Sequence, residues 1–527
     1  MKYCYLVFSS ALLMYACFLA GRTARAQTYK QSTALTDPHS ELGVPAVSEQ
    51  APRVRFKKAV SYDSGGSYAN WVVVGDLNGD GHPDLVVANL VGSGCNYDCD
   101  GSLGVLLGNG DGTFQSAVAY DSGGPNTAAV AIGDVNGDGY SDLVVANEGT
   151  NNNNGSVSVL LGNGDGTFQS PVNYNAGDGP ASIRLADLRG IGVLDAIVVD
   201  IDYNSPVELS VLLGNGDGTF QPPMGYTGLC QPIFVTVGDV NGDGRPDLVL
   251  TCGGAYDNMA VLLGNGDGTF QSPMIYSSGG QVPRSVAIAD LNGDGYPDLA
   301  VTNQCSETCQ NENSPPPVGV LFGNGDGTFQ SPVLYSSHGC DSDSIAIADV
   351  NGDGYPDLIV ANQDTGGLCG GPPEVTLLVG DGDGTFPYHA DYLAGEGAAV
   401  SVANADLRGD IRTDIVTANS YWNTVAVLLN DLSFATTTAL TSSPNPSQIN
   451  QPVALTATIT SSRAIPDGQA ITFYNGKVSL GTAATTNGAA TLSTVFSKAG
   501  TFTIKARYAG GDYLAASSAT LKQVVER

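Results

Sequence analysis

Ser285-Val286-Ala287-Ile288-Ala289-Asp290-Leu291-Asn292-Gly293-Asp294-Gly295-Tyr296-Pro297-Asp298-Leu299-Ala300-Val301-Thr302-Asn303 is the stretch whose reading decides the fold. Two apolar runs flank an acidic nine-residue segment of the form D-x-N-G-D-G-x-x-D. The runs are short, alternating or β-branched, and read as two strands. The Asn-Gly and Asp-Gly pairs between them mark a chain reversal. The same nine-residue pattern starts at Asp76, Asp134, Asp239 and Asp349. Degenerate copies start at Asp187 (Asp-Leu-Arg-Gly-Ile-Gly-Val-Leu-Asp) and Asp406 (Asp-Leu-Arg-Gly-Asp-Ile-Arg-Thr-Asp). The seven starts lie 58, 53, 52, 51, 59 and 57 residues apart. Periods near 50 belong to propellers, solenoids or arrays.

Outward from this segment each unit repeats one layout. A variable loop leads to a third apolar run, such as Val318-Gly319-Val320-Leu321-Phe322, which meets a Gly-Asn-Gly-Asp-Gly-Thr-Phe turn at Gly108, Gly162, Gly214, Gly264 and Gly323, with Gly380 close to it. Asn-Gly and Asp-Gly between apolar runs signal a hairpin. A fourth extended run, Phe-x5-Tyr, follows as Phe114/Tyr120, Phe168/Tyr174, Phe220/Tyr226, Phe270/Tyr276, Phe329/Tyr335 and Phe386/Tyr392. The seventh unit ends at Phe434 and has Leu440 in place of the tyrosine, while a spare pair, Phe56/Tyr62, precedes the first unit. Seven units thus have seven fourth strands, one of them displaced to the N-terminus. A closed ring explains that offset, because the first strand completes the last sheet; an open solenoid would end in atypical capping repeats instead. The expectation is all-β: a seven-bladed β-propeller closed by residues 54–62 pairing beside 424–430. The aromatic pairs are expected to pack between blades.

The chain has 527 residues, 69 of them Gly, with 21 Lys+Arg against 52 Asp+Glu and a formal net charge of -31. With 42% hydrophobic residues it can bury a core. No Lys occurs from residue 59 to residue 434. Such a chain repels phosphate backbones and anionic lipid, which excludes nucleic acid as a partner and points to a cation. Residues 1–26 read as a secretory signal: Lys2, the apolar run Tyr5–Ala20, and the Ala24-Arg25-Ala26 cleavage motif. Met14-Tyr15-Ala16-Cys17 is a poor lipobox, and no later stretch is long and apolar enough to span a membrane. Removing Cys4 and Cys17 with the signal leaves eight Cys, an even number that in an exported chain favours disulfides. The histidines His39, His82, His338 and His389 are scattered, which argues against zinc.

The repeated units resemble the FG-GAP/VCBS-type repeats of integrin α-subunit propellers and many bacterial surface proteins, over residues 54–434. After Phe434 the pattern changes to Thr/Ser-rich alternating strands, with an Asn475-Gly476 turn and no Cys. Residues 435–527 are similar to a bacterial Ig-like (group 3) module, a β-sandwich. Residues 27–53 hold no strong pattern and are expected to be a flexible lead-in.

Ca²⁺ takes six to eight oxygens, and the acidic segment offers them at positions 1, 3, 5 and 9 plus the carbonyl at position 7. The candidate ligands are Asp76, Asn78, Asp80, His82 and Asp84; Asp134, Asn136, Asp138, Tyr140 and Asp142; Asp239, Asn241, Asp243, Arg245 and Asp247; Asp290, Asn292, Asp294, Tyr296 and Asp298; and Asp349, Asn351, Asp353, Tyr355 and Asp357. An EF-hand would need Glu at position 12, where these copies have Val87, Val145, Leu250, Val301 and Val360. Position 9 is therefore expected to close the site, as in the integrin-like loop, and about five Ca²⁺ ions are expected, one per intact copy. Arg189 and Arg408 stand at position 3 of the degenerate copies. They are expected to replace the cation, lying between Asp187 and Asp195 and between Asp406 and Asp414, or else to be solvated. The aspartates of the hairpin turns (Asp111, Asp165, Asp217, Asp267, Asp326, Asp383) are read as turn chemistry.

In this layout the acidic loops and the hairpin turns share one face. All eight Cys fall in the connections of the other. Local pairing is expected: Cys95–Cys99, Cys230–Cys252, Cys305–Cys309 and Cys340–Cys369. The variable loops there also carry Tyr97, Asp98, Asp100, Tyr203, Tyr256, Glu307 and Glu312. The resemblance implies a secreted or cell-surface protein, with the periplasm as an alternative. It is expected to be a monomer that binds a glycan or protein ligand on the disulfide-bearing face, with the Ig-like module as spacer. Two rivals stand beside this: a polysaccharide lyase- or dehydratase-type enzyme on the same scaffold, and a purely structural surface component. No Ser/His/Asp arrangement or other catalytic constellation is found in the sequence, so no enzymatic activity is expected.

Overall fold

The computed structural model describes residues 54–92, 100–150, 155–177, 179–201, 207–253, 258–305, 317–339, 341–363, 374–511 and 513–527. The signal segment and the lead-in lie outside them. The second strand of each unit follows directly from its apolar run. Asp142–Asn147 and Asp357–Asn362, for example, are buried at every residue. Such strands pair on both edges, so their backbone groups are satisfied in the ladder.

Among the described residues the units form seven four-stranded antiparallel sheets. In the first, Gly66–Gly75, Asp84–Gly92, Asp100–Leu106 and Val118–Pro125 lie in sequence order. The last combines Ala399–Ala405, Asp414–Asn419 and Thr424–Leu428 with Val60–Asp63 from the N-terminus. Tyr62 stands opposite Val425 and Val60 opposite Val427, and an isolated bridge joins Phe56 to Asn430. Closure by the first strand is thus observed as expected. The first strands of neighbouring sheets touch all the way round, including Gly66–Gly75 with Ala399–Ala405. The architecture is a β-propeller.

The aromatic pairs show how the sheets are joined. Tyr62 packs edge-on against Phe114, with ring centroids 5.7 Å apart, and Tyr120 against Phe168 at 5.5 Å. The series continues through Tyr174–Phe220, Tyr226–Phe270, Tyr276–Phe329 and Tyr335–Phe386. It returns to the start with Tyr392–Phe56 at 4.9 Å. The N-terminal strand therefore supplies one ring to each of the two junctions that close the circle. Edge-to-face pairs contribute about 0.5–1.5 kcal/mol each beyond their burial.

In five units a second junction is built from a buried asparagine five residues after the last Asp of the loop; in the third unit that place is taken by Asp200. Asn89, Asn147, Asn303, Asn362 and Asn419 are fully buried, and their Nδ2 groups donate to the carbonyls of Ser64, Ser122, Ser278, Ser337 and Ala394. Those acceptors end the outer strand of the preceding sheet. In the fourth unit the equivalent residue is Cys252, which forms a disulfide with Cys230. One expected bridge is therefore present, in the place of a hydrogen-bonded latch. Cys95, Cys99, Cys309, Cys340 and Cys369 lie outside the described residues, and so do the other three expected pairs. Tyr97, Asp98, Tyr203, Tyr256, Glu307 and Glu312 also lie outside them.

Residues from Thr436 onward form a three-stranded and a five-stranded sheet around a core that includes Val453, Leu455, Ile471, Phe473, Ile504 and Tyr508. This is the expected Ig-like sandwich. Phe434, read as the end of the seventh unit, packs with this core: its amide donates to the Tyr513 carbonyl and its carbonyl accepts from Ala515.

Candidate metal-binding loops

Each acidic loop is a knot of backbone donors and side-chain acceptors. Asp290 Oδ1 accepts from the amide of Gly293 at 2.7 Å and Oδ2 from that of Gly295 at 2.9 Å. Gly293 and Gly295 have φ of 75° and 87°, which a side chain at those positions would resist. Asn292 Oδ1 accepts from the Asp294 amide and its Nδ2 donates to Asp294 Oδ2. Asp294 Oδ1 accepts from the Tyr296 amide. The other four intact loops repeat the position-1 geometry at Asp76, Asp134, Asp239 and Asp349. Position 2 is an apolar plug in all seven, from Leu77 to Leu407, at most 3% exposed.

Position 9 ties two loops together. Asp84, Asp142, Asp247, Asp298 and Asp357 are fully buried. Oδ2 of each accepts from the position-2 amide, and Oδ1 from the first glycine of the hairpin turn, as in Leu291 N to Asp298 Oδ2 at 3.0 Å and Gly323 N to Asp298 Oδ1 at 2.8 Å. This carboxylate ties the acidic loop to the hairpin turn, so the two do share a face. Burial pushes the carboxyls of Asp84, Asp142, Asp247 and Asp298 above their usual range, against those backbone hydrogen bonds. For Asp357 the rise is to about 7. Among the described residues no three His, Cys, Asp or Glu side chains stand together as a ready metal cage. Backbone amides hold the carboxylates at positions 1, 5 and 9 in place, as Asp290, Asp294 and Asp298 show. The donor set still fits a hard cation. Every loop offers only oxygens, and a carboxylate that accepts one amide per oxygen keeps lone pairs free.

In the two degenerate loops a guanidinium replaces part of this network. Arg189 forks onto Asp195, with Nη2 at 2.6 Å from Oδ1 and Nε at 3.2 Å from Oδ2, and Nη2 also donates to the Gly214 carbonyl. Arg408 forks onto Asp414 in the same way and also donates to the Asn430 carbonyl. Asp187 and Asp406 are not part of either fork: backbone amides, including those of Gly192 and Ile411, fill their oxygens. The guanidinium thus sits on the position-9 carboxylate and not between positions 1 and 9 as expected. Arg408 also reaches Asp410. Burial works against ionisation of Asp410. Its hydrogen bond to Arg412 and the charges of Arg408 and Arg412 outweigh that and hold its carboxyl low.

The turn aspartates behave as read. Asp111 Oδ1 accepts from both the hydroxyl and the amide of Thr113, and these bonds lower its pKa. The same pattern holds at Asp165, Asp217, Asp267 and Asp326.

Three features carried no sequence signal. Arg463 of the Ig-like sandwich reaches the sixth loop, with Nη2 at 2.7 Å from Asp349 Oδ2, and lies over the Phe434 ring at 5.3 Å. On the ring axis Arg184 lies between Trp71 and Phe234, its guanidinium carbon 5.1 and 4.7 Å from the two ring centres. Burial lowers its pKa to about 10. Beside it is a cavity of about 310 Å³, lined by first strands of six sheets. The third is an exposed tryptophan, Trp422, next to a larger cleft.

A ring of sheets with paired acidic loops and hairpin turns on one face defines a repeat-built β-propeller. Family comparison makes this specific: FG-GAP-like repeats match at residues 76–145, 134–198, 190–250, 239–301, 309–360 and 349–417, more than half of the chain. The chain belongs to the FG-GAP-like repeat family. Residues 440–526 match the bacterial Ig-like domain (group 3). That pairing is the make-up of a surface- or adhesion-type propeller. No curated protein matches the chain. Among solved structures, one similar to it is the crystal structure of BBS1N in complex with ARL6DN, soaked with mercury, at 13% identity and TM-score 0.44, covering 71% of this chain and 96% of that one. No helix among the described residues is long and apolar enough to cross a membrane.

Proposed function

We propose that this is an exported, calcium-stabilised binding protein that presents a glycan or protein ligand site on the face opposite the acidic loops, without catalysis of its own. The observation that carries the reading is the division of labour between faces. One face repeats the same oxygen-rich loop five times and varies little, while the connections of the other differ in every unit. Loops that vary on a rigid scaffold are where binding is placed. The side chains at positions 1, 3, 5 and 9 of each intact loop, with the position-7 carbonyl, would hold the ion. Bound Ca²⁺ offsets the mutual repulsion of these carboxylates and stabilises the fold. The Cys230–Cys252 disulfide agrees with an oxidising compartment. The Ig-like sandwich serves as spacer or attachment unit.

A ligand that binds only the native state stabilises it by mass action, about 2.7 kcal/mol per site at a hundredfold excess over Kd. Thermal unfolding in Ca²⁺ and in chelator, with metal loss checked by elemental analysis, should show a clear drop in Tm on chelation. An unchanged Tm with the metal gone would remove the ion from the proposal. A screen against glycans and extracellular-matrix proteins tests the binding role, and turnover of a polysaccharide in that screen would replace it with an enzymatic one.

A further inference from the structure

Trp71 and Trp422 are the two tryptophans of the chain, and they have opposite surroundings. Trp71 packs in the ring interior, whereas Trp422 is 61% exposed. It ends the short 3-10 turn Ser420–Trp422 in the second connection of the seventh unit, on the face opposite the acidic loops. Tryptophan is highly buried on average, so an indole this exposed stands out. This one is nevertheless fixed in place. Asn423, in the left-handed conformation at φ 55°, accepts from the Tyr68 amide on its side chain and from the Ser64 amide on its carbonyl. Gly397 lies under the ring: a Cβ there would come within 3.0 Å of Trp422 Cδ1 and 3.3 Å of its amide nitrogen. The turn is thus anchored from three sides with its ring outward.

Beside it is a cleft of about 660 Å³ between the outer strands of the sixth and seventh sheets. That is within the range of small-ligand sites. Lys57, Lys58, Asp391 and Glu396 line it together with Trp422. Lys57 and Lys58 are the only lysines among the described residues up to Phe434. In a strongly acidic molecule this rim carries both signs in equal number. Thr424 also lines the cleft, and its buried hydroxyl has no hydrogen-bond partner among the described residues. An orphaned buried hydroxyl costs free energy unless a water or a ligand supplies the missing bond.

We infer that this cleft is a binding site for a neutral oligosaccharide. The electron-rich face of an indole suits the weakly positive C–H face of a pyranose ring. Sugar hydroxyls both donate and accept, so they can pair with carboxylates, ammonium groups and a threonine hydroxyl at once. A balanced rim gives no advantage to an acidic polysaccharide, which the rest of the chain repels. The inference rests on the binding role proposed above and names its ligand class and place.

The test is an array of neutral and acidic oligosaccharides, followed by titration of the best neutral one against intrinsic fluorescence. Trp422 is the solvent-facing fluorophore, so binding should change the emission. Trp422→Ala should abolish that change and weaken binding by about tenfold or more, as truncation of an aromatic anchor does. Thr424→Val should weaken it less. Tm and the Cys230–Cys252 bond should be unaltered in both, which separates lost binding from lost folding. Neutral oligosaccharide binding that survives Trp422→Ala would overturn this site and leave the binding role standing. Binding only of acidic glycans or only of protein would overturn the inference in the same way. No binding to any glycan or matrix protein would bring down both.

Discussion

The third and seventh loops differ from the other five in what neutralises them. All seven have the same outline: an apolar plug at position 2, a position-1 carboxylate bound by backbone amides, and a buried position-9 carboxylate tied to the next turn. The seventh even keeps this outline with Ile411 at φ 64°, where a β-branched residue is strained and the intact loops have glycine. The degenerate loops therefore keep the outline of the intact ones although their residues differ. What varies is the counter-charge. In the degenerate loops a guanidinium lies on the buried position-9 aspartate. In the intact loops the same aspartate has only amide donors; burial raises its pKa there, as it does that of Asp414 against the pull of Arg408. A fixed internal cation makes a loop independent of solution conditions, whereas an oxygen-only loop stays open to them.

The largest effect should come from breaking the fixed cation. Arg408 is 9% exposed and Asp414 fully buried, so Arg408→Met leaves an uncompensated interior charge. Such a loss costs about 3–5 kcal/mol. Chemical denaturation should show it equally in Ca²⁺ and in chelator. A cost that appears only in one of them would end the view that this loop is cation-independent. Arg189 is 17% exposed, and its replacement should cost less.

Converting one class into the other sharpens the contrast. Arg189→Asn with Ile191→Asp writes the intact pattern into the third loop. In chelator this double variant should be less stable than the parent, because Asp195 loses its guanidinium. In Ca²⁺ it should regain about 2.7 kcal/mol at a hundredfold excess over Kd, and ion counting should find one more ion per chain. Failure to gain an ion would mean that positions 1, 3, 5 and 9 are not a sufficient ligand set.

The smallest effect concerns the sixth loop, which lies between the two classes. Its own residues are intact, yet Arg463 comes from the Ig-like sandwich to its position-1 carboxylate. Both partners are partly exposed, at 30% and 24%, and such pairs are worth about 0.2–1 kcal/mol. Arg463→Met should therefore tighten Ca²⁺ at this loop by no more than a few-fold, read as one shifted event in calorimetric titration. An unchanged titration would make Arg463 a domain contact and nothing more.

The amino-acid sequence by itself determined the strands, their number per unit, the acidic loops, the shared face of loops and turns, and the closure by residues near Tyr62. Each of these is written in local spacing and repeated, so copies correct one another, and a displaced Phe-x5-Tyr pair is visible as a gap in a series. It also marked Arg189 and Arg408 as replacements for a cation. Only the tertiary structure decided which carboxylate they grip: position 1 is the nearer in sequence, yet backbone amides occupy Asp187 and Asp406 and the guanidinium goes to position 9. The same holds for Arg463 on Asp349, for Arg184 between Trp71 and Phe234, for the disulfide standing where five other units have a buried asparagine, and for the cleft beside Trp422. These depend on residues brought together from separate sheets or domains, and no periodicity within one unit encodes which side chain arrives from the next.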